Sequence, residues 1–490
     1  FGQVVTEGDV DVLDAEAVGR HFTRMGAALL EDAGSLAGST LTHFYSVSWE
    51  GAAPTWTVRF EEWFQAHCGY SIRPWLPILA GFAVGGADQG ARVVRDYHSA
   101  LAAAMMEHFY GELQRRCHAA GLKWHAESGG PWNRSLAAFA RADQLAFLGR
   151  TDMPQGEFWL RDSVGAKRPP EFNRPAAMAA HIYGRPLAAA EAFTHMVRHW
   201  SAHPAVLKPL ADTAFCDGIN HLIWHTFTAS PPEFGLPGVE YFAGSHLNPN
   251  VTWFPMARPF IEYLARCQTL LRYGLPVADL AVYVGEQPYL HWGRGHPWST
   301  RATLEAPRGY AFDLLNTEVL LTRLECRDGD LVLPEGLRYR TLVVDLDEDS
   351  LRPEPLRRFI ELAEQGATLI LGRRRPTASS SLLNYPQADA EVRELTERLW
   401  GTAAEADSPE PHRMGKGRIF RRSTVAEVLA NLGVRPDLEG QCDFAHRTDG
   451  RTDVYFVAGH GDHSAIFRVA DRRPELWDPT TGEIRPPDGW

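Results

Sequence analysis

The stretch Asp152-Met153-Pro154-Gln155-Gly156-Glu157-Phe158-Trp159 carries a short apolar run into a glutamate flanked by aromatic rings. Two other runs close the same way, Ser48-Trp49-Glu50 and Trp124-His125-Ala126-Glu127-Ser128-Gly129-Gly130. Spacing turns these runs into a fold. Glu127 to Glu157 is 30 residues. Glu157 to Glu191, in Ala190-Glu191-Ala192-Phe193-Thr194, is 34 residues, and Glu191 to His225 is 34 more. A strand, its helix and their loops take roughly 30 residues. The 77 residues from Glu50 to Glu127 hold two such units, with Trp75-Leu76-Pro77-Ile78-Leu79 as the intervening strand. The rhythm predicts a (β/α)8 TIM-like barrel over residues 1–275, with its active site gathered at the C-terminal ends of the strands.

Helices fit between the strands. Val94, Tyr97, Leu101, Met105, Phe109, Leu113 and Cys117 recur at steps of three and four, one apolar face of a long helix ending at Gly121. Val18, Phe22, Met25 and Leu29 form a second stripe, and Ile261, Leu264, Cys267 and Leu271 a third. From Val277 the rhythm becomes that of a parallel α/β domain, assigned to residues 276–438. Strands are expected at Leu280–Val284, Thr341–Asp345 and Thr368–Leu371, with helices at Phe312–Leu324, Pro353–Glu364 and Ala390–Trp400. Gly372-Arg373-Arg374-Arg375-Pro376 reads as a solvated turn rather than a phosphate loop, since no glycine-rich segment leads into a helix there. Residues 439–490 read as the start of a β-rich domain, a small or partial β-sandwich.

Composition narrows the function. The net charge is −12 and no basic stripe occurs, which argues against a nucleic-acid partner. No apolar run reaches 18 residues, so no membrane span is expected. The six cysteines have no metal-ligand spacing and read as free buried thiols. Nothing calls for an organic cofactor. The chain starts at Phe1 rather than Met and reads as a fragment or processed product, cytoplasmic or secreted/periplasmic, with oligomeric state left open.

Strand-end carboxylates beside aromatic surface suit glycoside cleavage. Carboxyls exchange protons, and rings hold the apolar faces of a pyranose. Glu50, Glu157 and Glu127 are the catalytic candidates. Trp49, His125, Trp159, Glu191 and His225 are candidate substrate contacts at strand ends, with Asn220 beside His225. His181 and Tyr183 follow an alanine-rich helical run, where packing between domains is the alternative role. His246 and Trp253 lie in a loop expected to overhang the pocket. The expected partner is a small-molecule or oligosaccharide glycoside. A retaining glycosidase of β-galactosidase-like type and a non-catalytic carbohydrate-binding barrel are the competing readings.

The order Ser48-Trp49-Glu50, Trp56-Thr57, Gly69-Tyr70, Leu76-Pro77-Ile78-Leu79-Ala80-Gly81, Asp152 to Trp159, His181-Ile182-Tyr183-Gly184 and Ala190 to Thr194 resembles glycoside hydrolase family 106. Gly218-Ile219-Asn220, His225, Pro237-Gly238, His246-Leu247-Asn248 and Glu475-Leu476-Trp477-Asp478-Pro479 extend the resemblance over most of the chain. It implies an exo-acting, inverting α-L-rhamnosidase releasing terminal rhamnose from plant or bacterial glycosides, in polysaccharide degradation. It also implies a calcium ion that touches the substrate hydroxyls. Glu50 and Glu157 match the family's catalytic pair. Glu50 is placed as general acid and Glu157 as general base, and the sequence leaves the two roles exchangeable. Glu127 matches the third acidic position. Glu127 and Asn220 are the calcium candidates by position alone. Val47 departs from the family pattern, which has aspartate there, and so does Ser128-Gly129-Gly130.

Overall fold

A computed structural model of the chain describes residues 10–49, 54–127, 142–160, 173–195, 200–244, 247–288, 301–402, 410–459, 461 and 464–487. Glu50 and His246 lie outside the described residues. Five parallel strands, β1 (His43–Ser46), β2 (Lys123–Ala126), β3 (Met153–Trp159), β4 (Ala189–Thr194) and β5 (His221–Trp224), pair in chain order into one sheet. It is a curled half-barrel, so five strands of the expected eight form the sheet among the described residues.

The expected strand at Trp75–Leu79 is instead helical, a turn at Arg73–Trp75 running into a helix at Leu76–Leu79. Pro74 and Pro77 explain the correction. Proline has no N–H for a strand ladder, and its fixed φ suits the first turn of a helix. β1 therefore pairs directly with β2, Tyr45 opposite His125.

The two faces of the half-barrel differ in chemistry. Outward-facing Phe158, Ala190 and Ala192 pack on Ala176, Leu207 and Ala211 of the surrounding helices. Small side chains on strand and helix let the layers approach closely. Side chains one residue along point to the opposite face, and there lie Gln155, Glu157 and Glu191. The stripe read from Val94 to Cys117 forms a near-continuous helical rod, Ala87–Met105, Met106–Gly111 and Glu112–Ala119.

The second sheet contains β6 (Leu280–Tyr283), β7 (Phe312–Leu314), β8 (Thr341–Val344), β9 (Thr368–Leu371), β10 (His412–Met414) and β11 (Gly417–Phe420). Its order is β10-β11-β9-β8-β6-β7, parallel except for the β10–β11 pair. β6, β8 and β9 are buried along their whole length, as strands covered on both faces must be. The helix expected over Phe312–Leu324 is a correction. Phe312–Leu314 pairs with Leu280–Val282 as β7, and the helix begins at Thr317, where the Asn316 side chain accepts from Val319 N–H.

Past residue 439, β12 (Asp443–Thr448) and β13 (Asp453–Ala458) form an antiparallel hairpin. The hairpin lies on the helices around the half-barrel, with the Phe456 ring 5.5 Å from Phe215. Buried Arg447 donates 2.7 Å bonds to the carbonyls of Tyr273 and Gly274, stitching the hairpin to the chain between the two sheets. All six cysteines are free and five are buried. Among the described residues no helix is long and apolar enough to cross a membrane.

Buried polar contacts fasten the half-barrel helices to the α/β domain. Arg92 grips Asp389 with two bonds of 2.6 and 2.9 Å. The Asp96 carboxylate accepts from Tyr70, Ser381 and the Leu382 N–H at 2.8–3.0 Å. Removing one member of a buried pair costs about 3–5 kcal/mol where it strands the other charge. Arg92 keeps Asp88 at 2.8 Å as a second partner, which puts this clamp at the low end of that range. Asp389→Ala is therefore expected to lower the unfolding free energy by about 3 kcal/mol, measured by urea unfolding followed by tryptophan fluorescence. A loss below about 1 kcal/mol, the size of a surface pair, would show that the clamp does not hold the domains.

Candidate active site

Glu127 follows β2 directly, its N–H bonded to the Ser46 carbonyl of β1. Three neighbours converge on its carboxylate. Tyr45 of β1 donates its hydroxyl to Oε1, Gln155 of β3 donates to the same oxygen at 2.7 Å, and Ser48 N–H donates to Oε2 at 3.0 Å. Glu127 thus binds the ends of three adjacent segments. Desolvation by burial and the negative charge of Glu191 push its carboxyl up to about 7. The three donors favour the charged form and pull the other way.

Glu157 shares a strand with Gln155 and points to the same inner face, opposite Phe158. It lies directly across from Glu191 in the β3–β4 register. Glu191 accepts a hydrogen bond from Thr194 and stands 3.5 Å from Nδ1 of His225. The Thr194 contact depends on a backbone irregularity. Phe193 has φ of +71°, and the β3–β4 register shifts there. A bulge of this kind re-aims side chains. Phe193 turns outward onto Phe158 and Trp224, and Thr194 reaches back to Glu191. A φ in this region is strained for a bulky residue, and such strain concentrates at functional sites.

His125 is buried, its ring 4.6 Å from that of Tyr45. Burial lowers the pKa of both His125 and His225 to about 4, so both imidazoles are neutral at physiological pH. The inner face at the strand ends therefore joins Tyr45, His125, Glu127, Gln155, Glu157, Glu191 and His225. Trp159 ends β3, buried, two residues past Glu157.

Other expected contacts lie elsewhere. Asn220 precedes β5 and sits at the opposite end of the sheet from Glu127. Its side chain accepts from Ala188 N–H at 2.9 Å and donates to the carbonyls of Pro186 and Leu271. It ties strand starts together. Glu127 and Asn220 therefore cannot share a calcium ion, and the paired metal assignment is corrected. Among the described residues no group of three or more His, Cys, Asp or Glu side chains is placed to hold a metal. His181 bonds Asp313 at 2.9 Å and Tyr183 accepts from Asn316 at 2.9 Å, so both pack against the α/β domain. The Trp49 ring packs edge-on to Phe109 of the helical rod at 5.9 Å. Trp253 spends its indole N–H on the Ala202 carbonyl at 2.8 Å and packs on the helix core.

A family profile for α-L-rhamnosidases, glycoside hydrolase family 106, matches residues 4–487. This chain belongs to glycoside hydrolase family 106. A solved rhamnosidase from Novosphingobium sp. PP1Y is similar over 99% of this chain and 46% of its own, with 28% identity and a TM-score of 0.84. A Formosa agariphila protein named "Putative beta-glucuronidase" is 29% identical over 98% of this chain and 39% of its own length. The family 106 chain thus spans less than half the length of either relative. Gan42B, a GH42 beta-galactosidase from G. stearothermophilus, shares the fold at 13% identity, with a TM-score of 0.57 over 97% of this chain and 80% of its own.

Sequence reading missed Tyr45 and Gln155. Gln155 is two residues before Glu157, and the period-two pleat would have placed it on the same face. Tyr45 is five residues before Glu50, so alternation along its own strand gives no such signal.

A carboxyl raised from 4.5 to about 7 stabilises the fold through its protonated form. That contribution is complete below about 4.5 and is lost as pH rises through about 7. Wild type should therefore lose stability relative to Glu127→Gln between pH 5 and pH 8.5, measured by denaturant midpoints across that window. Tyr45→Phe removes a donor to the charged form and should raise the Glu127 pKa further, read by carbon-13 NMR of labelled glutamate. A constant wild-type-to-variant difference with pH would overturn the assignment.

Proposed function

We propose that this chain carries the catalytic centre of an exo-acting, inverting α-L-rhamnosidase. The observation that carries the reading is the meeting of Glu127, Glu157 and Glu191 on one inner face at the strand ends of a family 106 chain. Inverting hydrolysis needs one carboxyl to protonate the leaving oxygen and another to activate water from the opposite side of the sugar. Glu50 takes the acid role and Glu157 the base role. Glu127, protonated below about pH 7, adds no negative charge beside Glu191 there. Neutral His125 and His225 are suited to hydrogen-bond sugar hydroxyls. A calcium ion, implied by the family resemblance, would take Glu127 as a hard oxygen donor only in its charged form and in place of one of its present partners Tyr45, Gln155 or Ser48. Asn220 would take no part.

A β-glucuronide is the second reading, favoured by the name of the Formosa relative. The site chemistry runs against it. A uronate carboxylate would face Glu127, Glu157 and Glu191, and the inner-face residues described above include no arginine or lysine.

Hydrolysis of nitrophenyl α-L-rhamnopyranoside, with no turnover of the β-D-glucuronide, is the expected result. Proton NMR in the first minutes should show the anomer opposite to that of the substrate. First appearance of the same anomer would favour a retaining pair, for which the registered neighbours Glu157 and Glu191 are the nearest candidates. Glu157→Gln should lower kcat by about 10²–10⁴-fold, the usual worth of a positioned acid or base, and leave the melting curve unchanged. Near wild-type turnover by that variant would remove Glu157 from the mechanism.

A further inference from the structure

Between β5 and the helix Arg258–Leu271 the chain makes a long excursion with exposed large apolar side chains. Phe242 is 66% exposed, Phe234 62% and Leu236 80%. Exposed rings on a mobile loop would need no explanation. This excursion is braced. Buried Asn248 donates to the Thr228 carbonyl at 2.7 Å and accepts from Asn250 N–H at 3.0 Å. Asn250 in turn donates to Ser230 and to the Pro237 carbonyl, and the Glu240 carboxylate accepts from the Trp200 indole. A loop held this firmly around side chains left in water marks a binding surface.

The surface joins the site already described. Tyr241 meets the His225 ring edge-on at 5.3 Å, and Phe242 leans on Tyr241 at 4.8 Å. The backbone of Ala243 hydrogen-bonds the His225 side chain, and His225 stands 3.5 Å from Glu191. The path therefore runs unbroken from an inner carboxylate, across a neutral imidazole, to two aromatic rings that open to solvent. An exo-acting enzyme holds its terminal sugar at the carboxylates and leaves the rest of the substrate outside. A flat apolar ring at the rim offers that outer part dispersion contact without adding charge.

We propose that Tyr241 and Phe242 form the platform on which the leaving-group pyranose of an oligosaccharide rests. The inference deepens the rhamnosidase reading and rests on it. Both residues set specificity by positioning the leaving group, and neither takes part in proton transfer.

The test compares two substrates of one enzyme. A rhamnosyl disaccharide has a pyranose leaving group, and α-L-rhamnosyl fluoride has none. Phe242→Ala and Tyr241→Ala should each lower the ratio of kcat/KM for the disaccharide to kcat/KM for the fluoride by roughly 3- to 10-fold, the worth of one aromatic contact. The loss should fall mainly on KM, and Phe242→Trp should restore the ratio. An unchanged ratio in both alanine variants overturns the platform. A lowered ratio for nitrophenyl rhamnoside against the fluoride, with the disaccharide ratio unchanged, overturns the sugar assignment and gives the rings to an aryl leaving group. Failure of wild type to hydrolyse either compound overturns the rhamnosidase reading itself, and the inference with it.

Discussion

The Glu127 carboxylate is the point on which the candidate site depends. It accepts from Tyr45, Ser48 and Gln155, and so ties β1, the segment after β1, and β3 to the end of β2. Removing a carboxylate from water is costly unless its oxygens are satisfied. Here the donors satisfy them, yet burial and Glu191 still hold the proton to about pH 7. The result is a group that is firmly placed and close to balance between its two charge states. Firm placement suits a site that must hold reacting groups within fractions of an ångström.

The same economy operates at β4. An ideal strand would place Phe193 on the inner face with Glu191, where a large apolar ring would crowd the carboxylates. The positive φ at Phe193 reverses that side chain into the outer core and delivers the Thr194 hydroxyl to Glu191. Packing of the Phe193 ring against Phe158, Trp224 and Phe260 offsets the local backbone cost. Outer packing therefore maintains an inner polar contact.

Much of this was legible in the chain. The steps from Glu127 to Glu157 to Glu191 to His225 follow the strand-and-helix repeat, and β2 to β5 lie where those steps put them. The repeat was misleading between β1 and β2, because Trp75–Leu79 has the hydropathy of a strand and the prolines of a helix start. Phe312–Leu314 reads as part of a helix because three apolar-flanked residues carry no period of their own. Polarity alone could not separate the two ends of the sheet, so Asn220, at a strand start, was grouped with His225, at a strand end. The roles of Tyr45 and Gln155 rest on partners in other strands, which local sequence does not display. Tyr241 is hidden for a further reason. Its place beside His225 is set by a loop without periodicity, in which Asn248 braces Thr228 and Asn250 braces Ser230.

The histidine and tyrosine that sequence assigned to sugar show how the remaining polar groups are used. His181 pairs with Asp313, which also accepts from Tyr339 at 2.9 Å, and Tyr183 accepts from the capping Asn316. Together with Arg92–Asp389 and Asp96–Ser381, these contacts fix how the α/β domain sits on the half-barrel. Buried polar pairs of this kind add little net stability compared with apolar packing, since desolvation consumes most of the attraction. Their geometric demands are strict, however, because a shift of an ångström leaves a buried donor or acceptor without its partner. The Asp96 and Asp389 contacts anchor the long helix Ala87–Met105, and that helix leads through Glu112–Ala119 into β2, the strand that Glu127 directly follows. The α/β domain is thus coupled to the position of the carboxylate through one continuous rod. On this geometry the α/β domain holds the rod in register with the strand ends.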